Sequence, residues 1–396
     1  MNGATQQSAD LWAGAHELLR SAREPVAGRR MESPSVEDGA GKTIVIATDT
    51  WHPQVNGVVR QLKKTVEILE RWQYRVEVIH PYLFRSYRIP GFNDLDITPG
   101  HNRFRINAML SRLLPCAIHV ATEGPLGLAV TRFCKGRKRP FTSWHHTDYP
   151  ETLQLHMPLP DWFVYGYMRW FHKCSSTIMV NTRRMGRKLH ENGFQSPMRV
   201  WSGGVDTELF HPRPKPPRAR KMALYVGRIA KEKNLEHFLD CCGEYDKVLV
   251  GEGAHRAELQ HRYPQAKFLG VLSGEDLAQV YAAADVFVFP SVTDTFGLVL
   301  IEALACGVPV AAYPVQGPAD ILDRDGVGCL GHDLEVCIER ALREHDPAEC
   351  RKLALDYSWE NSTRMFVNNL VFAPPLEPSA AAGRQPQSQR VPMPTH

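Results

Sequence analysis

The feature that most limits this chain is an alternation, run through twice. Short apolar runs bounded by Gly or Pro alternate with segments whose apolar residues recur at helical spacing. The first run, Thr43–Thr48 (TIVIAT), has the continuous apolar character of a parallel strand buried on both faces. Val59, Leu62, Val66 and Leu69 follow at helical period, and Arg75–His80 (RVEVIH) returns as a strand. The order predicts a βαβ unit with a right-handed crossover. Further strands are expected at Ala117–Ala121, Phe141–Trp144 and Thr177–Val180, with a helix over Asp161–His172.

A Pro- and Arg-rich stretch, HPRPKPPRARK (211–221), then breaks the pattern and reads as a linker, because proline is poorly tolerated inside strands and helices. The cycle restarts beyond it. Strands are expected at Met222–Gly227, Lys247–Gly251, Lys267–Gly270, Val286–Pro290 and Val308–Tyr313. Between them, helices are expected at Asn234–Leu239, His255–Tyr263, Glu275–Ala284 and Gly297–Cys306. Such alternation builds open parallel sheets covered on both faces. The expected class is α/β, as two doubly wound, Rossmann-like domains facing a cleft, over 42–210 and 211–358. A last helix over 359–372 is treated separately. Ligands of such sheets bind outside the carboxyl ends of the strands, and a cleft between two of them is a natural site. Residues 1–41 read as a mobile leader, despite a short amphipathic pattern at Leu11, Trp12, Ala15, Leu18 and Leu19. Residues 373–396, rich in Pro, Gln and Ser, read as a disordered tail, since neither end buries enough apolar surface to offset its ordering entropy.

Composition narrows the function classes. Of 396 residues, 43% are apolar and 23% charged, the mix of a soluble globular protein. The net charge of +4 is too mild for a dedicated nucleic-acid binder. Nine cysteines without CxxC spacing argue against a disulfide scaffold and against a four-cysteine zinc site. No apolar stretch is long enough to span a membrane, and no apolar core of a signal peptide follows the start. A reduced, cytoplasmic setting is the simplest expectation.

Four segments at expected strand ends can carry chemistry. In DTFGLVLIEALACGVPV (294–310), Asp294 and Glu302 flank a helix start, with Thr295 the expected N-cap and Gly307 and Pro309 the stop. Free N–H groups there attract anions, and the two acids can accept from sugar or ribose hydroxyls; capping plus a surface Glu is the plainer explanation of the same spacing. In GRIAKEKN (227–234), Arg228 and Lys233 can neutralise a diphosphate, with Lys231 an alternative and a solvated basic turn the bland one. In QVNGVVRQL (54–62), Gly57 permits close backbone approach, although a turn needs nothing more; the segment is neither GxGxxG nor a Walker loop. TSWHHTDYPE (142–151) offers His145, His146, Asp148 and Glu151. Adjacent side chains of an extended segment point opposite ways, so one cleft histidine is preferred to a metal site, while a satisfied core or rim histidine is the plainer reading of this segment taken alone. The triplets Asp94–Asp96 and Asp323–Asp325 read as loop acids, and no GxSxG, HExxH or Cys/His nucleophile arrangement occurs.

In their order these segments resemble the retaining glycosyltransferases of family 4, of the GT-B fold, and among them the GDP-mannose-dependent alpha-mannosyltransferases. The likeness covers roughly 43–370 and rests on TDTWHPQVNGVVR, ATEGPLG (121–127), HTDYPE, WSGGVDTELFHP, GRIAKEKN and FVFPSVTDTFGLVLIEALACGVPVAAY. It implies that Gly57 approaches the donor diphosphate or sugar, and that His146 is the cleft histidine contacting the donor sugar, with His145 the fallback. Arg228 and Lys233 would bind the diphosphate, and Asp294 and Glu302 occupy the family's EX7E positions, toward the sugar and the ribose respectively. The backbone N–H groups of Phe296, Gly297 and Leu298 would meet sugar or phosphate, and Val271 and Leu272 would lie beside the base. The helix at Trp359–Leu370 would cross back onto the first domain. Two positions depart from the family: Asp294 stands for Glu, and Gly203 stands where relatives often place Arg.

The implied reaction transfers a hexose from a nucleotide sugar, GDP-mannose favoured and UDP-glucose next, to a glycan or lipid-linked acceptor in α linkage. Cations and helix-start dipoles would hold the departing diphosphate, with no essential metal and no other cofactor. Two other readings are an epimerase or hydrolase of nucleotide sugars on the same fold and a non-catalytic sugar-nucleotide-binding protein. RFRINAMLSRLLP (103–115) and CKGRKRP (134–140) mix Arg and Lys with apolar residues and suggest peripheral contact with an anionic membrane, a solvated surface being the alternative.

Overall fold

The computed structural model describes residues 39–54, 56–84, 87–88, 96–97, 102–146, 160–215, 217–292 and 296–374. The leader, the far tail, Asp294, Thr295 and the acid pair Asp148 and Glu151 lie outside the described residues. The first sheet holds β1 (Thr43–Ala47), β2 (Arg75–Ile79), β3 (Ala117–Val120), β4 (Thr142–His145), β5 (Thr177–Val180) and β6 (Met198–Val200), in the order β2-β1-β3-β4-β5-β6. The second holds β7 (Lys221–Val226), β8 (Tyr245–Val250), β9 (Lys267–Phe268), β10 (Val286–Phe289), β11 (Val310–Ala312) and β12 (Gly328–Leu330), in the order β9-β8-β7-β10-β11-β12. Every pairing within these two sheets is parallel. Each strand order reverses once, between β1 and β3 and between β7 and β10, and those reversals open crevices at the carboxyl ends.

Local sequence explains the elements. Helix α1 (Gly57–Arg71) starts where the Asn56 side chain accepts from the Val59 N–H at 2.9 Å, so the Asn-Gly pair is a cap as well as a turn. It buries Val59, Leu62, Ile68 and Leu69 on one stripe. In β1 the alternation is strict: Ile44 and Ile46 enter one core and Val45 and Ala47 another. The second of these cores gathers α2 (Arg103–Leu113), α3 (Pro125–Gly136) and Phe171 at the end of α4 (Asp161–His172). The first gathers α1 and the last helix, numbered α13 below.

Several elements escape the apolar periodicity. Strands β6 and β12 are three-residue edge strands, too short to show a period. Helix α5 (Arg183–Glu191) is mostly charged and buries only Met185 and Leu189. The second half also holds α6 (Leu235–Asp240), α7 (Arg256–Arg262), α8 (Gly274–Ala283), α9 (Leu298–Ala305), α10 (Gln316–Ile321), α11 (Leu334–Arg343), α12 (Pro347–Leu355) and α13 (Trp359–Asn369). The expected cap of α9 is corrected: the N-cap is Gly297 at φ 85°, a left-handed conformation that favours glycine, and not Thr295.

The two halves are joined by close backbone approach. Val205 bridges to Ser358 and its N–H donates to the Tyr357 carbonyl at 2.8 Å. Ser362 Oγ donates to the Ser202 carbonyl at 2.7 Å, and Asn369 Nδ2 to that of Val200 at 2.8 Å, so α13 lies against the first lobe beside α1. The glycine pair Gly203-Gly204 makes this possible. A Cβ on Gly203 would stand 2.3 Å from Leu298 Cδ2 and 2.7 Å from the Phe296 ring. That close seat leaves no room for the basic side chain that relatives often carry there. A Cβ on Gly204 would stand 2.4 Å from the Trp359 ring and 2.9 Å from its Cα, which cannot swing away as a side-chain tip does. Gly204→Ala should therefore lower the unfolding free energy by about 2 kcal/mol. An unchanged urea midpoint would refute the close fit.

Candidate active site

Three of the four segments singled out for chemistry sit at the two strand-order reversals, and TSWHHTDYPE lies one strand away, on β4 and just after it. After β1 come Asp49 and the Gly57 helix start; after β3 comes the ATEGPLG loop; after β7 comes GRIAKEKN; after β10 comes the run to Gly297. Asp49 ties the first two together. Its carboxylate accepts from Thr122 Oγ1 at 2.7 Å and from the Leu126 and Gly127 N–H groups at 2.7 and 3.2 Å, capping α3 from the neighbouring strand. A Cβ on Gly124 would overlap that carboxylate, which accounts for the glycine.

Below this loop lies a buried polar cluster. Glu123 Oε1 meets His145 Nδ1 at 3.0 Å and His172 Nε2 at 3.2 Å, with all three residues buried. A relay fixes the protons. Ser175 Oγ donates to the Thr177 carbonyl, which can only accept, at 2.8 Å. Ser143 Oγ must then donate to Ser175 Oγ at 2.8 Å, and His172 Nδ1–H to Ser143 Oγ at 2.8 Å. With Nδ1 protonated, the His172 Nε2 facing the Glu123 carboxylate requires a cation between them. A proton shared with Glu123 completes that contact at a hydrogen-bond length, against the burial that pushes the His172 imidazole down, and the Glu/His/His set is also one that can hold a metal ion. Hydrogen bonds from both rings overcome the cost of burial and hold the Glu123 carboxyl well below the usual carboxylate range.

The adjacent histidines diverge, as an extended segment demands. His145 turns to Glu123, whereas His146 lies against Trp144 on the other side, ring centroids 4.6 Å apart. Trp144 is itself held by Asn181, which accepts from its Nε1 at 2.8 Å. Burial pushes His146 down to about 4, so its imidazole is neutral at physiological pH. Across the cleft, Arg228 is exposed and paired with Glu232 at 2.6 Å, and Lys233 ends the single turn Lys231–Lys233. Both follow the carboxyl end of β7. Phe296, Gly297 and Leu298 form the start of α9, and Leu298 Cδ1 would lie 3.9 Å from a Cβ on Gly57, so the two helix starts nearly touch. Val271 is exposed and Leu272 half-buried on the loop before α8.

Glu302 is engaged from both lobes. The carboxylate is 2% exposed, lies 2.5 Å from Arg60 Nη1 of α1, and accepts from Tyr281 Oη of α8 at 2.9 Å. The carboxylate raises the Arg60 pKa and, with burial, holds the Tyr281 hydroxyl well above its ordinary range. A cavity of about 470 Å³ lies elsewhere, on the flank between β8, β9 and α8, and of the expected site residues only Leu272 lines it. Asp323 is half committed to Arg324, which also reaches Asp356. Sequence reading missed Arg60, Tyr281, Glu123 and His172. Arg60 and Glu123 stood inside quoted motifs, whereas Tyr281 and His172 carry no local signal.

Comparison with known proteins agrees on class. A family described as "Glycosyltransferase Family 4" matches residues 55–209, and one described as "Glycosyl transferases group 1" matches 220–343. A GDP-mannose-dependent alpha-mannosyltransferase of Mycobacterium tuberculosis is 29% identical over 354 residues, 81% of this chain and 93% of the relative. A sulfoquinovosyl transferase of Arabidopsis thaliana is 28% identical over 72% of this chain; the chain spans only 62% of that relative's length. Among solved structures, sucrose-phosphate synthase of Thermosynechococcus elongatus superposes with a TM-score of 0.66 at 19% identity, covering 83% of this chain and 98% of that one. Anabaena HepE in complex with UDP superposes at 0.61 and 16% identity, with coverages of 83% and 98%.

The proton relay makes a measurable statement. Glu123→Gln removes the buried carboxylate that both imidazoles bond and should cost about 3 kcal/mol of stability at neutral pH. Because the carboxyl titrates lower in the folded chain, the wild type's advantage should be full above about pH 4.3 and shrink as pH falls below it, where the unfolded chain takes up the proton. Denaturant titrations at several pH values would show this. A gap that is absent, or that widens on acidification, would contradict the assignment.

Proposed function

Because the chain belongs to the family 4, group 1 glycosyltransferases of the GT-B fold, we propose that it transfers a hexose from a nucleotide sugar to a glycan or lipid-linked acceptor, with retention and hence in α linkage. GDP-mannose is the favoured donor, in keeping with the named activity of the mannosyltransferase relatives, and UDP-glucose the second. The observation that carries the reading is the near-contact of two helix starts from opposite lobes, Gly57 and Leu298, with the basic turn of Arg228 and Lys233 at the carboxyl end of β7, the strand paired with the β10 that leads to α9.

The physical task is to expel a nucleoside diphosphate from an anomeric carbon. Negative charge grows on the phosphates while positive charge grows on the sugar ring. Arg228 offers a bidentate fork and Lys233 a point charge for the former, and the N–H groups at the start of α9 add their dipoles. No divalent ion is then needed to neutralise the leaving group. His146, kept neutral by burial, meets the sugar as a hydrogen-bonding group and not as a cation, so it does not oppose the charge developing there. Asp294 is assigned to the sugar and Val271 and Leu272 to the base. Glu302 takes the ribose, whose hydroxyls must share or displace the contacts from Arg60 and Tyr281. A phosphate oxygen accepts the acceptor's proton, so the reaction calls for no separate protein base.

Arg228→Ala and Lys233→Ala should each reduce sugar transfer by about a hundredfold or more while leaving the thermal midpoint close to wild type, since Arg228 is exposed. Release of GDP from GDP-mannose with a lipid or sugar acceptor, compared with UDP from UDP-glucose, is the measurement. Near-normal rates in both variants would remove the diphosphate assignment. Donor consumption without any acceptor would favour the hydrolase or epimerase reading, and donor binding without release a non-catalytic one.

A further inference from the structure

One face of the first lobe is built unlike an ordinary solvated surface. Helix α4 carries its buried residues Val164, Met168, Phe171 and His172 inward. Its opposite stripe is aromatic: Trp162 is 72% exposed, Phe163 53%, Trp170 53%, with Tyr167 between them. At 100° per residue these four fall within one side of the helix, so they make a continuous strip. A surface that leaves two tryptophans and a phenylalanine in water on a single helix marks an interaction site.

The neighbouring helices supply charge of one sign. Helices α2 and α3 lie on the same face of the sheet as α4, with Ile106, Leu110, Val130, Phe133 and Phe171 in one core. Neither contains an Asp or Glu. Arg103, Arg105 and Arg112 of α2 and Arg132 and Lys135 of α3 are exposed, and Phe104, 68% exposed, lies beside the Arg103 guanidinium. Asp161 is the single acid among the three helices. Topology also sets the position. Both α2 and α4 run back from the carboxyl ends of the strands, so Arg103, Phe104, Trp162 and Phe163 stand at the rim of the cleft.

We infer that the α2–α3–α4 face docks on an anionic bilayer surface, its Trp/Phe strip entering the headgroup region and its Arg and Lys residues meeting lipid phosphates. Tryptophan and tyrosine favour that interface because one end of the ring system is apolar and the other wet, and basic side chains there draw on the negative surface potential. No described helix is long and apolar enough to cross a membrane. The further step, that the acceptor is drawn from that bilayer, rests on the transferase reading; the docking itself does not.

Co-sedimentation of the full chain with phosphatidylcholine vesicles, and with vesicles of equal phosphatidylcholine and phosphatidylglycerol, tests the surface. The expected result is binding to the anionic vesicles that weakens in high salt. Trp162→Ser with Trp170→Ser should weaken it by about tenfold or more. Arg103→Ala, Arg105→Ala and Arg112→Ala together should weaken it by about a hundredfold, near fivefold for each cation. Donor turnover on a soluble acceptor, measured without vesicles, should be unchanged in the tryptophan variant. Absence of vesicle binding, or equal binding to neutral vesicles at all salt concentrations, overturns the proposal. So does a concentration-dependent dimer that the tryptophan variant abolishes, since the strip would then face a second copy. Salt-sensitive anionic binding by a chain that never turns over donor would leave the docking face standing and sink the transferase reading.

Discussion

A buried carboxylate reached from two lobes governs the arrangement of the cleft. Glu302 sits on α9, in the core of the second lobe, yet its compensating cation, Arg60, comes from the first. Burying a carboxylate without a partner is costly, and removing one member of a buried pair leaves that cost exposed. The pair therefore favours the position in which α1 and α9 present their starts to one another. Tyr281 donates the second hydrogen bond, so the carboxylate is held from both sides. Any ligand that takes Glu302 must compete with Arg60, so its binding and the relation of the lobes become one equilibrium. Half-exposure of Arg60 lowers the cost of that exchange, because its guanidinium can return to water.

Glycines let this happen where side chains would hold the lobes apart. Gly203 and Gly204 accept Leu298, Phe296 and Trp359 at distances that no Cβ tolerates. Within the second lobe, Gly317 accepts the backbone of Phe296, and Gly297 adopts the left-handed conformation that turns the chain into α9. The loop where the family resemblance implies an arginine is here a seat for the opposite lobe. Its contribution is steric, and the positive charge near the cleft comes from α1 and the β7 turn instead.

How much of this was legible in the sequence follows from which interactions are local. Strands such as Thr177–Val180 and the helix Asp161–His172 announce themselves, because a buried strand is an apolar run and an amphipathic helix has a period. Strands β6 and β12 do not, since three residues at a sheet edge carry neither signal. The start of α9 misled because Thr295 has the chemistry of a cap while the backbone angle at Gly297 decides the boundary. For the site, loops at strand ends were readable from the fold rule alone, and the divergence of His145 and His146 followed from strand geometry. The partners were not readable. His172 lies 49 positions from Glu123, and Arg60 finds Glu302 only once two sheets have formed. A residue's role in such a pair is fixed by tertiary placement, which no local pattern encodes.

The same topology explains why the two faces of the first sheet differ. One face is covered by α1 and by α13, which returns from the end of the second lobe, so its apolar residues are shared between lobes and sealed. The other is covered by α2, α3 and α4, whose outward sides meet nothing else among the described residues of the core. A two-lobed enzyme of this build has one side of its first lobe committed to closing the cleft and one side free. Chemistry placed on the free side cannot disturb the closing contacts, and the helices there begin at the cleft rim. Aromatic and basic residues gathered on that side are available for the docking inferred above without touching the contacts that α13 makes. Separating attachment from closure in this way requires only that the last helix cross back, and the Ser202, Ser362 and Asn369 hydrogen bonds are what fix that crossing.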